Sequence, residues 1–178
     1  MKAGVVVLNG GSSAGKSTIA SSLQALLAEP WLTLGVDNLI DALGPAASES
    51  SSDITFGSDG VVSVGERFRQ VENAWFHGLA AIARSGTGAI IDEVFLGGGA
   101  SQSRLSSALA DLTVLWVGVH CDPEIASWRE LSRADRVRGM ARAQSSIVDQ
   151  GVSYDIEVDT SDMSVLECAH VILRRMHR

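Results

Sequence analysis

The stretch "LNGGSSAGKST", residues 8 to 18, constrains the fold of this chain more than any other. It follows the apolar run Val5 to Leu8 and precedes the helical pattern "IASSLQALLA", so it reads as a strand-to-helix turn with helix one beginning within Lys16 to Thr18. Two chemistries fit it. Gly11 to Gly15 matches G-x-S-x-G, the elbow that exposes a nucleophilic serine in α/β-hydrolases. Gly10 to Ser17 matches G-x-x-x-x-G-K-[ST], a loop whose backbone N–H groups cradle phosphates.

Further β-branched runs recur along the chain at Leu32 to Val36, Ala89 to Ile91, Val114 to Val119 and Tyr154 to Val158, each followed by a turn and a helical pattern. Fully apolar strands alternating with helices predict an α/β fold: a five-stranded parallel sheet covered by helices on both faces. A length of 178 residues with 46% hydrophobic content suits one domain spanning the whole chain. Two segments break the rhythm. Residues 44 to 64 form an insert in which "GPAASESSSD" reads as a surface loop and Asp59-Gly60 as the turn of a hairpin that covers a site. Residues 125 to 145 are arginine-rich and lid-like, with five arginines within "RELSRADRVRGMAR".

Composition excludes several function classes. Fourteen Lys plus Arg against 21 Asp plus Glu give a formal charge of −7, without the footprint a nucleic acid requires. The apolar run at the N-terminus is too short for a secretory signal, and no run spans a bilayer. Two separated cysteines, Cys121 and Cys168, argue for a reducing, cytoplasmic compartment and against a zinc site.

The elbow needs a later acid, a later histidine and an early oxyanion donor. His120, His170 and His177 are the late histidines, and no "HGGG"-like stretch occurs. The cradle uses residues that the elbow leaves idle. Gly10, Ser12, Ser13, Ala14, Gly15 and Thr18 shape or flank a nest of N–H groups at a helix N-terminus. Lys16 can reach β- and γ-phosphates, and Ser17 can ligate Mg²⁺. Asp92, after the apolar run "AII", is the candidate second Mg²⁺ ligand, although Asp92 and Glu93 read equally as the polar start of a loop. ATP and Mg²⁺ are therefore the expected cofactors.

Arg129, Arg133 and Arg136 fall at i, i+4 and i+7, one face of a helix. That face is either solvated or closes on a nucleotide. Arg133 and Arg136 are the foremost candidates, ahead of Arg129, Arg138 and Arg142, with Arg136 stabilising charge on the transferred group. Asp37, at the carboxyl end of the second strand, is either a helix N-cap or the group that orients and deprotonates an acceptor hydroxyl. Trp31, Leu39, Phe56, Phe95 and Leu96 are either core or the lining of an aromatic acceptor pocket, Trp31, Phe56 and Leu96 being taken as the substrate-binding set. Trp75, Trp116 and Trp128 read as structural.

"LNGGSSAGKS", "EPWLTLGVDNLIDAL", "IIDEVFLGG", "LWVGVHCD", "REL.RADRV.GMA" and "GV.YDIEVDT" together resemble the chloramphenicol phosphotransferases of actinomycete type, from residue 5 to about residue 170. The resemblance implies a three-layer P-loop kinase core with strand order 2-3-1-4-5. It implies ATP-dependent phosphorylation of the primary hydroxyl of chloramphenicol or a related small alcohol, inactivating the antibiotic. It assigns Asp37 as the base, Lys16 and Ser17 to the phosphate loop, and Arg133 and Arg136 to the nucleotide. Departures concentrate in "GPAASESSSDITFGSDG" and at Glu93, where the family carries a second aspartate. A kinase of the same core with another antibiotic or metabolic alcohol, a serine hydrolase using Ser12 or Ser13, and a nucleotide-binding module without catalysis remain as alternatives.

Overall fold

A computed structural model describes residues 4–44, 53–132 and 138–177. Its centre is a five-stranded, all-parallel sheet of β1 (Val5–Asn9), β2 (Trp31–Gly35), β5 (Gly88–Glu93), β6 (Val114–His120) and β7 (Ile156–Asp159), in the order β2-β5-β1-β6-β7. Renumbered without the hairpin, that is the expected 2-3-1-4-5. β3 (Ile54–Phe56) and β4 (Val62–Val64) form the antiparallel hairpin expected around Asp59-Gly60, with Ile54 opposite Val64. The helices are α1 (Lys16–Leu26), α2 (Val36–Leu43), α3 (Glu66–Arg84), α4 (Gly99–Ala108), α5 (Pro123–Leu131), α6 (Met140–Ser145) and α7 (Val165–Met176).

Period-two alternation in β1 builds the two core layers. Val6 and Leu8 join Ile19, Leu23, Ile90 and Ile172 on the α1 and α7 face. Val5 and Val7 join Phe76, Leu79, Ile91 and Leu105 on the α3 and α4 face. Because both faces are covered, the strands read as continuous apolar runs. A smaller cluster of Leu39, Ile54 and Phe68, with Val62 and Val64 packed against it, fixes the hairpin to α2 and α3. No helix among the described residues is long and apolar enough to cross a membrane.

The structure departs from the sequence reading at the start of β7, at the end of the arginine helix and at Trp128. β7 begins at Ile156 because Asp155 turns inward first: its Oδ2 accepts the Trp116 N–H at 2.8 Å and its own N–H donates to the Trp116 carbonyl at 2.9 Å. The arginine helix ends at Leu131, where the Ser132 hydroxyl donates to the Arg129 carbonyl at 2.7 Å. Arg133 and Arg136 lie outside the described residues. Trp128 is 74% exposed on α5 and takes no part in the core, unlike the half-buried Trp75 and Trp116.

Trp31 stands at the start of β2, about 13 Å along the strand from Gly35 at ~3.3 Å per residue. Its ring is buried in the sheet core opposite Gly88, where an added Cβ would lie 2.2 Å from the ring. The indole has a strand on one side and nowhere to withdraw. Gly88→Ala is therefore expected to destabilise the fold by about 1–3 kcal/mol, the range for overpacking a filled site. Urea unfolding followed by tryptophan emission measures it; an unchanged midpoint would mean that the ring is not seated against Gly88.

Candidate active site

The turn after β1 is fixed before it reaches the helix. Asn9 is buried at the end of the strand, where its Oδ1 accepts the Phe95 N–H at 2.8 Å. Its Nδ2 donates to the Val148 carbonyl at 2.9 Å and to the Tyr154 hydroxyl at 2.6 Å. Gly10 then passes so close to β6 that a Cβ would sit 2.2 Å from the Val119 carbonyl oxygen. Ser13 and Gly15 adopt left-handed backbone, with φ of 60° and 98°, a region that glycine occupies without penalty. The loop is supported from outside as well. The Ser12 N–H donates to Gln144 Oε1 at 2.7 Å, and the Thr160 hydroxyl donates to the Ala14 carbonyl at 2.8 Å.

Lys16, the first residue of α1, is 7% exposed; its Nζ donates to the Gly11 carbonyl at 3.0 Å and stands 3.8 Å from Asp92 Oδ1. The Ser17 hydroxyl donates to Asp92 Oδ2 at 2.7 Å. The structure thus brings together the two oxygen ligands expected for Mg²⁺, from α1 and the end of β5. A hard cation that keeps several waters and shares phosphate oxygens suits such a sparse protein contribution. Among the described residues no cluster of three or more His, Cys, Asp or Glu is gathered for a metal. The buried hydroxyls of Ser12 and Ser13 have no hydrogen-bond partner among the described residues. An orphaned buried hydroxyl is costly, and phosphate oxygens over the loop would satisfy both.

A cleft of 330 Å³ opens from this loop across the carboxyl ends of β1, β2 and β5. Gly35 comes so near β5 that a Cβ there would lie 2.0 Å from the Asp92 carbonyl oxygen. That close approach brings α2 beside Asp92. Asn38, not Asp37, supplies the cap: its Oδ1 accepts the Gly35 N–H at 2.9 Å. Asp37, Ser17, Lys16 and Asp92 all line the same cleft. Phe56 and Leu96 line it too, together with Val36, Ile54, Val62 and Met140. Leu39 and Phe95 are core, and Trp31 does not line the cleft, since it occupies the opposite end of β2. No described histidine reaches the cleft; His120 instead lies 2.8 Å from Glu157 Oε2 and 3.5 Å from Asp149 Oδ2. The serine-elbow reading therefore has no base.

Several site residues carried a weak sequence signal or none. Arg129, ranked behind its neighbours, buttresses the loop from below: Nη1 donates to Thr160 Oγ1 and Nη2 to the Thr160 carbonyl, each at 2.9 Å. Glu130 is 4% exposed and accepts the N–H groups of Gly139 at 2.7 Å and Ala141 at 2.8 Å, securing the start of α6 that carries Gln144. From α3, Arg69 and Glu72 also line the cleft. Only the three-dimensional fold brings Glu130, Arg69 and Glu72 to the site, so local spacing could not single them out, and for Arg129 it gave a helix face but not the partner Thr160.

Glu93 follows Asp92 but faces the opposite side of β5, where it is 3% exposed, with Oε1 unpartnered among the described residues. Burial pushes its carboxyl well above the ordinary carboxylate range, and the negative charges of Glu72, Asp92 and Asp37 push the same way against Lys16.

The family model described as "Chloramphenicol phosphotransferase-like protein" matches residues 3–177. Two Mycobacterium tuberculosis strains carry proteins named "Putative O-phosphotransferase" that are 30% identical over 97% of this chain and 80% of theirs. Among solved structures, the tunicamycin resistance protein of Deinococcus radiodurans superposes with TM-score 0.65 at 18% identity, covering 97% of this chain and 95% of that one. The APS kinase of Mycobacterium tuberculosis, in complex with AMPPNP and APS, gives TM-score 0.64 at 15% identity over 99% of both chains.

The raised pKa of Glu93 has a thermodynamic consequence. The folded state holds a proton that the unfolded state releases, so Glu93 costs nothing below the ordinary carboxylate range and destabilises increasingly as pH rises toward its folded value. Glu93→Gln is expected to match the wild type in melting temperature near pH 4 and to exceed it progressively toward pH 8. Thermal melts across that range test it, and a difference independent of pH would place an ionised carboxylate at this position.

Proposed function

The chain belongs to the chloramphenicol phosphotransferase-like family and has the fold of a kinase-type phosphotransferase; from that premise we propose that it transfers the terminal phosphoryl group of ATP to a primary hydroxyl of chloramphenicol or a closely related small alcohol. One observation carries the reading. A phosphate-loop geometry with orphaned buried hydroxyls opens directly into an apolar-walled cleft that also contains Asp37. Donor and acceptor sites would then share one cavity of 330 Å³, a suitable size for one small molecule beside the phosphates.

In this reading the loop N–H groups and Lys16 hold the β- and γ-phosphate oxygens, where charge accumulates in a loose transition state. Bound Mg²⁺, held from the protein side by Ser17 and Asp92, would neutralise phosphate charge. Asp37 orients the acceptor hydroxyl and takes its proton as the new O–P bond forms and the bond to the departing ADP breaks. A strong base is not needed, because the hydroxyl becomes acidic only late in such a transfer. Phe56, Leu96, Val62 and Ile54 give the acceptor's body an apolar wall, and Arg133 and Arg136 are proposed to contact the nucleotide, Arg136 stabilising charge on the transferred group. Phosphorylation of the hydroxyl would inactivate the antibiotic.

Mass spectrometry of chloramphenicol incubated with the protein, ATP and Mg²⁺ tests the proposal, beside a panel of other primary alcohols. The expected result is a phosphate-sized mass gain, with Lys16→Ala and Asp37→Asn each reducing its rate by about 10²-fold or more. Transfer to another alcohol with chloramphenicol unchanged would move the acceptor and leave the chemistry. No transfer to any alcohol while nucleotide still binds would overturn the kinase reading.

A further inference from the structure

α3 contributes to the cleft one cation that phosphoryl transfer leaves unused. Arg69 lines it with its side chain 30% exposed, and it is held by Nη1 alone, which donates to Glu72 Oε2 at 3.1 Å and to Oε1 at 3.4 Å. Among the described residues nothing accepts from its Nε or Nη2. Glu72 cannot turn further toward it, because Arg104 holds the same carboxylate: its Nε donates to Oε2 at 3.2 Å and its Nη2 lies 3.1 Å from it. Arg104 is itself fully committed, donating to the Ala100 carbonyl and to the Ser101 hydroxyl, each at 3.1 Å.

Two guanidiniums on one carboxylate leave a unit of positive charge in excess. The excess lies beside apolar surface from Phe68, Val64 and Leu96, where charge is poorly screened and a hydrogen bond to it is strengthened. A planar fork of N–H donors, clamped at one end and open at the other, matches a planar group with two acceptor oxygens.

We infer that Arg69 is a specificity residue of the acceptor site, taking a planar two-oxygen group, carboxylate or nitro, at the far end of an apolar acceptor whose hydroxyl lies at Asp37. The inference rests on the acceptor reading of the same cleft. Glu72 and Arg104 are positioning residues that hold the fork open rather than contacts to the ligand.

Three primary alcohols that differ only at the para position test it: 4-nitrobenzyl alcohol, 4-(hydroxymethyl)benzoate and 4-methylbenzyl alcohol. Each is titrated calorimetrically into the wild-type chain, Arg69→Met and Arg69→Lys, and each is offered with ATP and Mg²⁺. The wild type is expected to bind the nitro or the carboxylate compound between about tenfold and a hundredfold more tightly than the methyl compound, the span for hydrogen bonds to a charged group. Arg69→Met should erase that preference, and Arg69→Lys should retain part of it for the carboxylate alone, because a point charge lacks the fork. A preference that fades with added salt identifies the carboxylate, and one that persists identifies the nitro group. Circular dichroism checks the fold of both variants, in which Glu72 keeps Arg104. Equal affinity for the three compounds in the wild type, or a preference that survives in Arg69→Met, overturns the inference. If the preference depends on Arg69 but no alcohol is phosphorylated, the subsite stands and the kinase reading falls.

Discussion

Everything in this site depends on how the backbone turns between Asn9 and Lys16. Asn9 ends the strand by satisfying a donor from β5's following loop and offering its own N–H groups to the chain before β7, so three segments meet at one amide. The turn is then pressed on β6 at Gly10 and pinned at Ser12 by Gln144 and at Ala14 by Thr160. A loop so constrained presents its donors without needing to reorganise. Preorganised dipoles are the largest single source of stabilisation for charge that develops during a reaction.

The same constraint links the two halves of the cleft. The helix that supplies Gln144 to the loop begins at Gly139 and Met140, and the hairpin turn rests on that point, where a Cβ on Gly60 would lie 2.2 Å from the Gly139 carbonyl carbon. Met140 and Phe56 line one cleft from these two elements. Phosphate loop and hairpin therefore meet through α6, with Glu130 securing its start.

Features written in local spacing were legible before any coordinates. The strand-loop-helix turn, the five apolar strands and the hairpin at Asp59-Gly60 all follow from runs and turns of a few residues, whereas the strand order came with the family resemblance. Ser17 and Asp92 could be paired because the loop-helix turn after β1 and the end of β5 follow neighbouring parallel strands. Trp31 was not placeable, since an aromatic at a strand's start and one at its end look alike in sequence while lying on opposite edges of the sheet. Arg69 and Glu72 sit on a helix with no motif to mark them, and Arg129 on one whose arginine face reads either as solvated or as closing on a nucleotide. What sets them apart is a neighbour 31 or 32 residues away, Thr160 for Arg129 and Arg104 for Glu72. Arg133 and Arg136 lie outside the described residues, so their part in the site stays with the proposal.

The central claim is that residues 10 to 17 hold nucleotide phosphates with a metal between Ser17 and Asp92. Calorimetric titration of a non-hydrolysable ATP analogue, with and without Mg²⁺, into wild type and Ser17→Ala tests it most directly. The account predicts binding to the wild type that tightens when Mg²⁺ is added, and binding to Ser17→Ala that loses most of that gain while its metal-free affinity persists. Absence of nucleotide binding, or a Mg²⁺ gain that Ser17→Ala leaves intact, would contradict it.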